Sequence, residues 1–505
     1  MLLIINLCFL LLVNNGESAR ILGFFPTPSI SHQSVFQPVW KELSLRGHEL
    51  VVVTTDPLKD KSLTNLTEID LHDLSYGIWK KHNIGSLGST SEKKISGIKA
   101  FIELYTDVLD AQFGSPEVQA LIHDKNQKFD LILAEFLWPT SYALKEVWNV
   151  PLVGIASIPF GLGHHDIFGN PSHPITHPDV HLPFSGDLSF WERVQSVLFS
   201  FSFRIYDKSL EKIFNKQVST FFPEVKKDIR VLERQASLAF VSVNPGIYVP
   251  RPNVPNVIEI SGMHIKPPKP LPKDLKQYLD NSMRGVIYLS FGSNVKSNLL
   301  PKDKLQMIMD ALSELPYDVL WKFEADLPNK PKNVQIRNWL PQQDILRHPN
   351  VKLFIMQGGL QSIEEAIYSK VPLVVVPFFA DQPGNARKVE DIGIGRRLDF
   401  LDLTKQKLIE TVHKVMDDPS CKEKITNLAN VALDKPMSAL DTVVWWTEYV
   451  IRHKGAYHLR SPAIHMPYYK YFMLDVFGFL AVCGFTIIYV FMKLTKMLLT
   501  CRFVL

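Results

Sequence analysis

Short apolar runs recur along this chain, each too brief for a buried helix and each followed by a stretch of helical periodicity. ARILGFFP and ELVVVTTDP frame VFQPVWKELSLRGH, whose apolar positions repeat at helical spacing until Gly47 ends the pattern. The same signal returns in FDLILAEF (129–136), PLVGIAS (151–157) and LAFVSV (238–243). An unbroken apolar run is what a strand covered on both faces needs, and strands separated by helices pair in parallel. The chain is therefore expected to be an α/β protein.

A change of composition divides the series in two. VPRPNVPNV and KPPKPLPKD concentrate proline between 245 and 280, a stretch expected to be a stiff linker without helix. A second strand and helix series follows it, through GVIYLSFGS, YDVLWKFE, VQIRNW, KLFIMQGG and PLVVVPFF. A chain of 505 residues can bury two cores, so the expectation is one domain over 19–244 and another over 281–445. Two such units create a cleft between them, and ligands of open parallel sheets bind beyond the carboxyl ends of the strands.

The two ends carry different apolar segments. MLLIINLCFLLLVNNGES has the short apolar core and small-residue end of a signal peptide over 1–18, although it lacks a basic start; a short anchor is the alternative. FMLDVFGFLAVCGFTIIYVFM, 472–492, would span roughly 31 Å as a helix, the thickness of a bilayer core. Tyr468, Tyr469 and Tyr471 precede it and Lys493, Lys496 and Arg502 follow it, the pattern of a membrane helix rather than a buried one. Residues 446–471 then form a helix and juxtamembrane segment, and 493–505 a cytosolic tail. This orientation makes the protein single-pass type I, with its bulk lumenal, and residence in the endoplasmic reticulum is the expectation.

Cys421 would be alone in the lumenal part, which excludes an internal disulfide there. Asn65-Leu66-Thr67 is a sequon that such a compartment could glycosylate. A net charge of +4 without a dense basic block argues against nucleic acid as a partner. The aromatic-rich segment 184–206 has three readings: a cap on the cleft, a membrane contact, or a core-facing helix pair.

The densest chemical signal lies between 338 and 385, NWLPQQDILRHPNVKLFIMQGGLQSIEEAIYSKVPLVVVPFFADQPGN. A strand, Gly358-Gly359 and then a helix converge free backbone N–H groups and a positive helix end on one point, which suits a phosphate. Ser362 and Glu365 also fit an S-x-x-E capping box, so spacing alone leaves ligand and cap open.

WLPQ, the QGG turn, EEAI and VPFFADQP, in this order and spacing, resemble the signature of the UDP-glycosyltransferase family, especially its insect members. The likeness runs from the first strand to the apolar tail. It implies the GT-B fold, two Rossmann-like domains facing a cleft, with the nucleotide sugar held mainly by the second. On this resemblance Trp339 stacks on uracil and Gln342 bonds the nucleotide. Ser293, Gln357, Gly359, Gln361 and Ser362 surround the diphosphate, Glu365 takes the ribose hydroxyls, and Asp381 and Gln382 contact the sugar. His32 is implied as the base that deprotonates the acceptor, with Glu135 as the carboxylate orienting its ring; many relatives have Asp there.

The implied reaction is a metal-independent, inverting transfer of a hexose to a hydroxyl of a small lipophilic acceptor. UDP-sugar is a co-substrate, and no cofactor is implied. The insect likeness favours glucose, while Asp381-Gln382 accompanies glucuronate as well. Phe136, Trp138, Tyr142 and Phe160 indicate an apolar acceptor pocket. The C-terminal helix makes the membrane a partner, and a homo-oligomer is compatible with the chain. Gln357 stands where the family norm is His, which raises the alternative of a weakened or silent relative that binds a nucleotide sugar or lipophile; Gln donates a hydrogen bond but carries no charge.

Overall fold

The structure is a computed structural model that describes residues 18–82, 94–293 and 295–502. The expected leader, apart from Ser18, lies outside the described residues. The first sheet has seven parallel strands in the order β3-β2-β1-β4-β5-β6-β7. These are β1 (Arg20–Phe25), β2 (Glu49–Thr54), β3 (Leu66–Asp70), β4 (Leu131–Glu135), β5 (Leu152–Ala156), β6 (Leu238–Ser242) and β7 (Val257–Ile260). The second sheet orders β10-β9-β8-β11-β12-β13. It comprises β8 (Val286–Ser290), β9 (Asp318–Lys322), β10 (Val334–Arg337), β11 (Val351–Met356), β12 (Leu373–Val375) and β13 (Gly395–Arg397). Together they make two Rossmann-like α/β units, the arrangement of the GT-B fold.

Every residue of β4, β5, β6 and β8 is buried, which accounts for their unbroken apolar sequences. In each sheet the chain first winds outward and then returns beside its starting strand, at β1/β4 and at β8/β11. The crevice at such a reversal is where open α/β sheets receive ligands. His32 follows β1 and Glu135 ends β4, whereas Ser293 follows β8 and Gln357 follows β11. Candidate residues from distant parts of the sequence therefore meet at the two switch points.

Several boundaries differ from the sequence expectation. The stretch 245–280 is not only linker: VIEI forms β7, the last strand of the first sheet, and Lys273–Asn281 is a helix that starts directly after Pro272. Proline marks the ends of these elements without invading them. The helix Ala439–Arg452 crosses the expected boundary at 445 and packs on the first domain. There Val443, Val444 and Val450 are fully buried with Ile21, Val35 and Val39. Burial against a distant face, rather than sequence adjacency, decides where this helix belongs.

Phe136, Tyr142 and Phe160 are buried in the core, where the Tyr142 and Phe160 rings pack tilted against Phe136 with centroids 5.2 and 5.1 Å away. Segment 184–206 enters one helix, Phe190–Phe221, begun by a capping box between Ser189 and Glu192. Trp191, Phe201 and Ile205 on it are exposed, which removes the core-facing reading. The C-terminal helix runs Leu474–Arg502, past the expected end at 492; its stretch Leu474–Leu499 is long and apolar enough to cross a membrane and is unburied. Asn65 is half-buried, and its amide nitrogen donates to the Ser44 and His48 carbonyls at 2.8 and 2.7 Å. A glycan on that nitrogen would leave one N–H for two carbonyls, so the structure opposes the sequon as a glycosylation site.

Candidate active site

The first half of the site hangs on β1, β4 and β5. His32 lies in the first turn of the helix Ile30–Leu45, and its Nδ1 is 3.1 Å from Glu135 Oε1 and 2.7 Å from Ser157 Oγ. Glu135 is fully buried, and its second oxygen accepts the Thr27 N–H at 3.1 Å. A carboxylate oxygen accepts, so a proton on His32 Nδ1 suits this arrangement and leaves Nε2 as the ring's acceptor. The longer Glu side chain reaches the ring as a shorter Asp would have to from a different backbone position. Ser157, just past β5, is a partner that sequence reasoning missed; its position at a strand end beside the cleft was the available signal.

The second half is built on the turns after β8, β11 and β12. Gly358 adopts φ +96°, a conformation that favours glycine, and Gly359 is the N-cap of the helix Leu360–Tyr368. Ser362 thus sits inside the first turn and not at the cap, and no side chain caps this helix, so the capping-box reading fails. The free N–H groups remain available at a positive helix end.

Gln342, Ser362 and Glu365 form one network. Gln342 Nε2 donates to Ser362 Oγ at 2.9 Å and to Glu365 Oε2 at 2.6 Å, while Tyr288 donates to Gln342 Oε1 at 3.1 Å. Gln343, absent from the sequence reading, donates to the other Glu365 oxygen at 2.9 Å and to the His264 carbonyl. Trp339 is 64% exposed beside this network, with one ring face near Lys322 Nζ at 5.8 Å. An exposed indole supported by ordered polar neighbours is a platform for a planar ring.

Gln357 lies between Gly292 and Gly359, where a Cβ at either glycine would crowd its amide. Its Oε1 is buried and has no hydrogen-bond partner among the described residues. Ser293 follows Gly292 in the same turn. Gln361 does not turn to this point: its amide donates to the Ser157 carbonyl at 2.8 Å and ties the two domains across the cleft. Gln382 folds its Oε1 back onto the Phe378 N–H at 2.9 Å, leaving its amide nitrogen unbonded.

Asp381 begins the helix Gln382–Asp391 and accepts from Asn385 Nδ2 at 2.7 Å. Burial raises its carboxyl above the ordinary value against the pull of Asn385, and His32 is among the charges that act on it. Asp381 and the His32 centre, in different domains, are thus close enough to interact electrostatically. Lys388 lies about two turns further along, and burial lowers its ammonium to about 8. Among the described residues no group of three or more His, Cys, Asp or Glu side chains could hold a metal ion.

A histidine and carboxylate pair on one domain thus lies across the cleft from a helix end and a polar network on the other. The UDP-glucoronosyl and UDP-glucosyl transferase family profile matches residues 24–505. This chain belongs to the UDP-glycosyltransferase family. It is 34% identical to UDP-glucosyltransferase 2 of Dactylopius coccus over 96% of this chain and 95% of that one. It is 30% identical to the human UDP-glucuronosyltransferase 2B7 over 98% and 95% of the two chains. Among solved structures, glycosyltransferase VinC in complex with dTDP superposes with a TM-score of 0.58, covering 86% of this chain and all of that one. At 17% identity that likeness concerns the fold. The UDP-glycosyltransferase relatives include both glucosyl and glucuronosyl enzymes by name.

Proposed function

We propose that this protein transfers a hexose, glucose in the first instance, from a UDP-sugar to a hydroxyl of a small lipophilic acceptor, inverting the anomeric configuration. The observation that carries the reading is the His32–Glu135–Ser157 arrangement with Asp381 close enough to act on it. His32 Nε2 takes the acceptor proton as the acceptor oxygen attacks the anomeric carbon. The bond from that carbon to the β-phosphate oxygen breaks, and its electron pair leaves with UDP. Glu135 stabilises the imidazolium that forms, a general-base contribution of about 10² to 10⁴ in rate. The N–H groups at the start of Leu360–Tyr368 offset the charge on the leaving diphosphate, so the step calls on no metal. Trp339 stacks on the base, and Glu365 accepts ribose hydroxyls by exchanging its bonds to Gln342 and Gln343. Ser293, Gln357, Gly359 and Ser362 surround the diphosphate, with Asp381 and Gln382 on the sugar.

In this reading the helix Leu474–Arg502 anchors the protein as a single-pass type I membrane protein of the endoplasmic reticulum. Its catalytic part is lumenal, where acceptors that partition into lipid are concentrated. A second reading, a binder without turnover, is favoured by the unpartnered buried Oε1 of Gln357. Titration of the full chain with UDP, followed by turnover of several UDP-sugars with a panel of phenols, separates the two. UDP binding with product formation supports the transferase; UDP binding without product from any pair supports the binder.

A further inference from the structure

A second histidine and carboxylate pair lies in the first domain, outside the chemistry described above. Asp179 is buried and accepts three bonds: from the Leu162 N–H at 2.7 Å, the His181 N–H at 3.0 Å and His181 Nδ1 at 2.6 Å. Three donors fix this carboxylate as an ionised post. His181 packs its ring plane on Phe203, with centroids 6.1 Å apart at 24°. Its side chain is nevertheless 42% exposed, and among the described residues Nε2 has no hydrogen-bond partner.

The loop carrying this pair reaches across the cleft. A Cβ on Gly384, in the helix that Asp381 begins, would lie 3.1 Å from the Leu182 carbonyl oxygen and 3.5 Å from that of Val180. His181 is thus held between two residues that abut the second domain's helix. Burial lowers its basicity, but Asp179 and then Asp381 outweigh this and raise it above the ordinary histidine value. His164, on the neighbouring helix Leu162–Phe168, is held neutral by burial, its value lowered to about 4, and does not compete as a cation.

We propose that His181, fixed by Asp179, is a sugar-contacting residue that donates from Nε2 to a hydroxyl oxygen of the nucleotide-linked hexose. The inference rests on the transferase reading, which gives Asp381 to the sugar. The segment that carries His181 abuts Gly384, about one turn past Asp381 on the same helix, so a sugar diol bound there satisfies both groups by donating to Asp381 and accepting from His181. The first domain thereby reads the donor's sugar, while the uridine and diphosphate are bound by the second domain alone.

The test compares dissociation constants of UDP and UDP-glucose for the full chain, His181→Gln, His181→Leu and Asp179→Asn, with thermal stability measured alongside. His181→Leu is expected to weaken UDP-glucose by about fivefold or more, the loss of one hydrogen bond, with UDP unchanged within about twofold. His181→Gln keeps an N–H donor and should lose less, and Asp179→Asn should fall between them. KM for UDP-glucose should rise more than kcat falls. Unchanged UDP-glucose binding in His181→Leu overturns the inference, as does equal weakening of UDP and UDP-glucose, or a change confined to the acceptor's KM. Failure of the transferase reading itself looks different, because the unmodified chain would then bind UDP-glucose without turning it over, or bind neither ligand.

Discussion

Replacing Glu135 by Gln removes one charge while preserving shape. The buried carboxylate holds His32 Nδ1 at 3.1 Å and the Thr27 N–H at 3.1 Å. A glutamine keeps the acceptor for Thr27, so folding should survive with little change in Tm. What it loses, on the proposed mechanism, is the charged partner of the imidazolium formed when His32 takes the acceptor proton. A hydrogen bond to a charged group is worth about 1.5–3 kcal/mol, and at 1.36 kcal/mol per tenfold this predicts a kcat roughly 10- to 150-fold lower. The amide's N–H₂ also clashes electrostatically with Nδ1–H, which favours the other tautomer and deepens the loss. Steady-state turnover of UDP-glucose with a phenol measures kcat, and calorimetry measures UDP affinity, which should stay within about twofold because Glu135 lies in the other domain. A kcat within twofold of the unmodified protein would refute the assignment of Glu135 as the group that stabilises His32.

Other substitutions test other parts of the cleft. Trp339→Ala should weaken UDP by about 5- to 150-fold, the ~1–3 kcal/mol of a base stacked on an aromatic ring, and leave Tm unchanged because the indole is 64% exposed; an unaltered UDP constant would remove it from the site. Gln357→His gives the buried position, whose Oε1 lacks a partner, a ring donor able to carry charge; a gain of about 1 kcal/mol, near fivefold in UDP-sugar affinity or turnover, is expected, and no gain would mean the turn has adapted to glutamine. Away from the cleft, burial raises Glu233 from 4.5 to about 7 against the pull of Arg230. The folded chain therefore keeps a proton that the unfolded chain has released, and stability falls as pH climbs from about 4.5 through about 7, by on the order of 1–3 kcal/mol. Glu233→Gln should flatten that slope in denaturant titrations at several pH values, and an unchanged slope would contradict it.

Much of the fold was legible because fully buried parallel strands announce themselves: LILAE and VIYLS are apolar where both faces are covered. The errors have a common physical source, since local sequence does not report which distant surface an element will find. VIEI looked like part of a proline-rich linker, yet its edge position beside β6 makes it a strand. The helix Ala439–Arg452 follows the second domain in sequence and buries its valines in the first. Phe136, Tyr142 and Phe160 suggested a pocket by composition, but the Tyr142 and Phe160 rings pack against Phe136 in the core.

The site divides in the same way. The glycine turn and the following helix could be read directly, because φ +96° at Gly358 and open amides are local properties. His32 and Glu135 came from resemblance, and their 3.1 Å contact depends on β1 and β4 being neighbours. Ser157, Gln343 and His264 were not anticipated because serine, glutamine and buried histidine become informative only once their partners are known. Gln361, expected at the diphosphate, is instead drawn to the Ser157 carbonyl by the closeness of the two domains.

The central claim is that His32 is the base of a working transferase, and His32→Ala measures it most directly. Turnover of UDP-glucose with an accepting phenol should fall by about 10² to 10⁴ while UDP binding stays within about twofold, since the proposed nucleotide contacts lie on the second domain. Turnover that persists at the unmodified rate in His32→Ala would contradict the account.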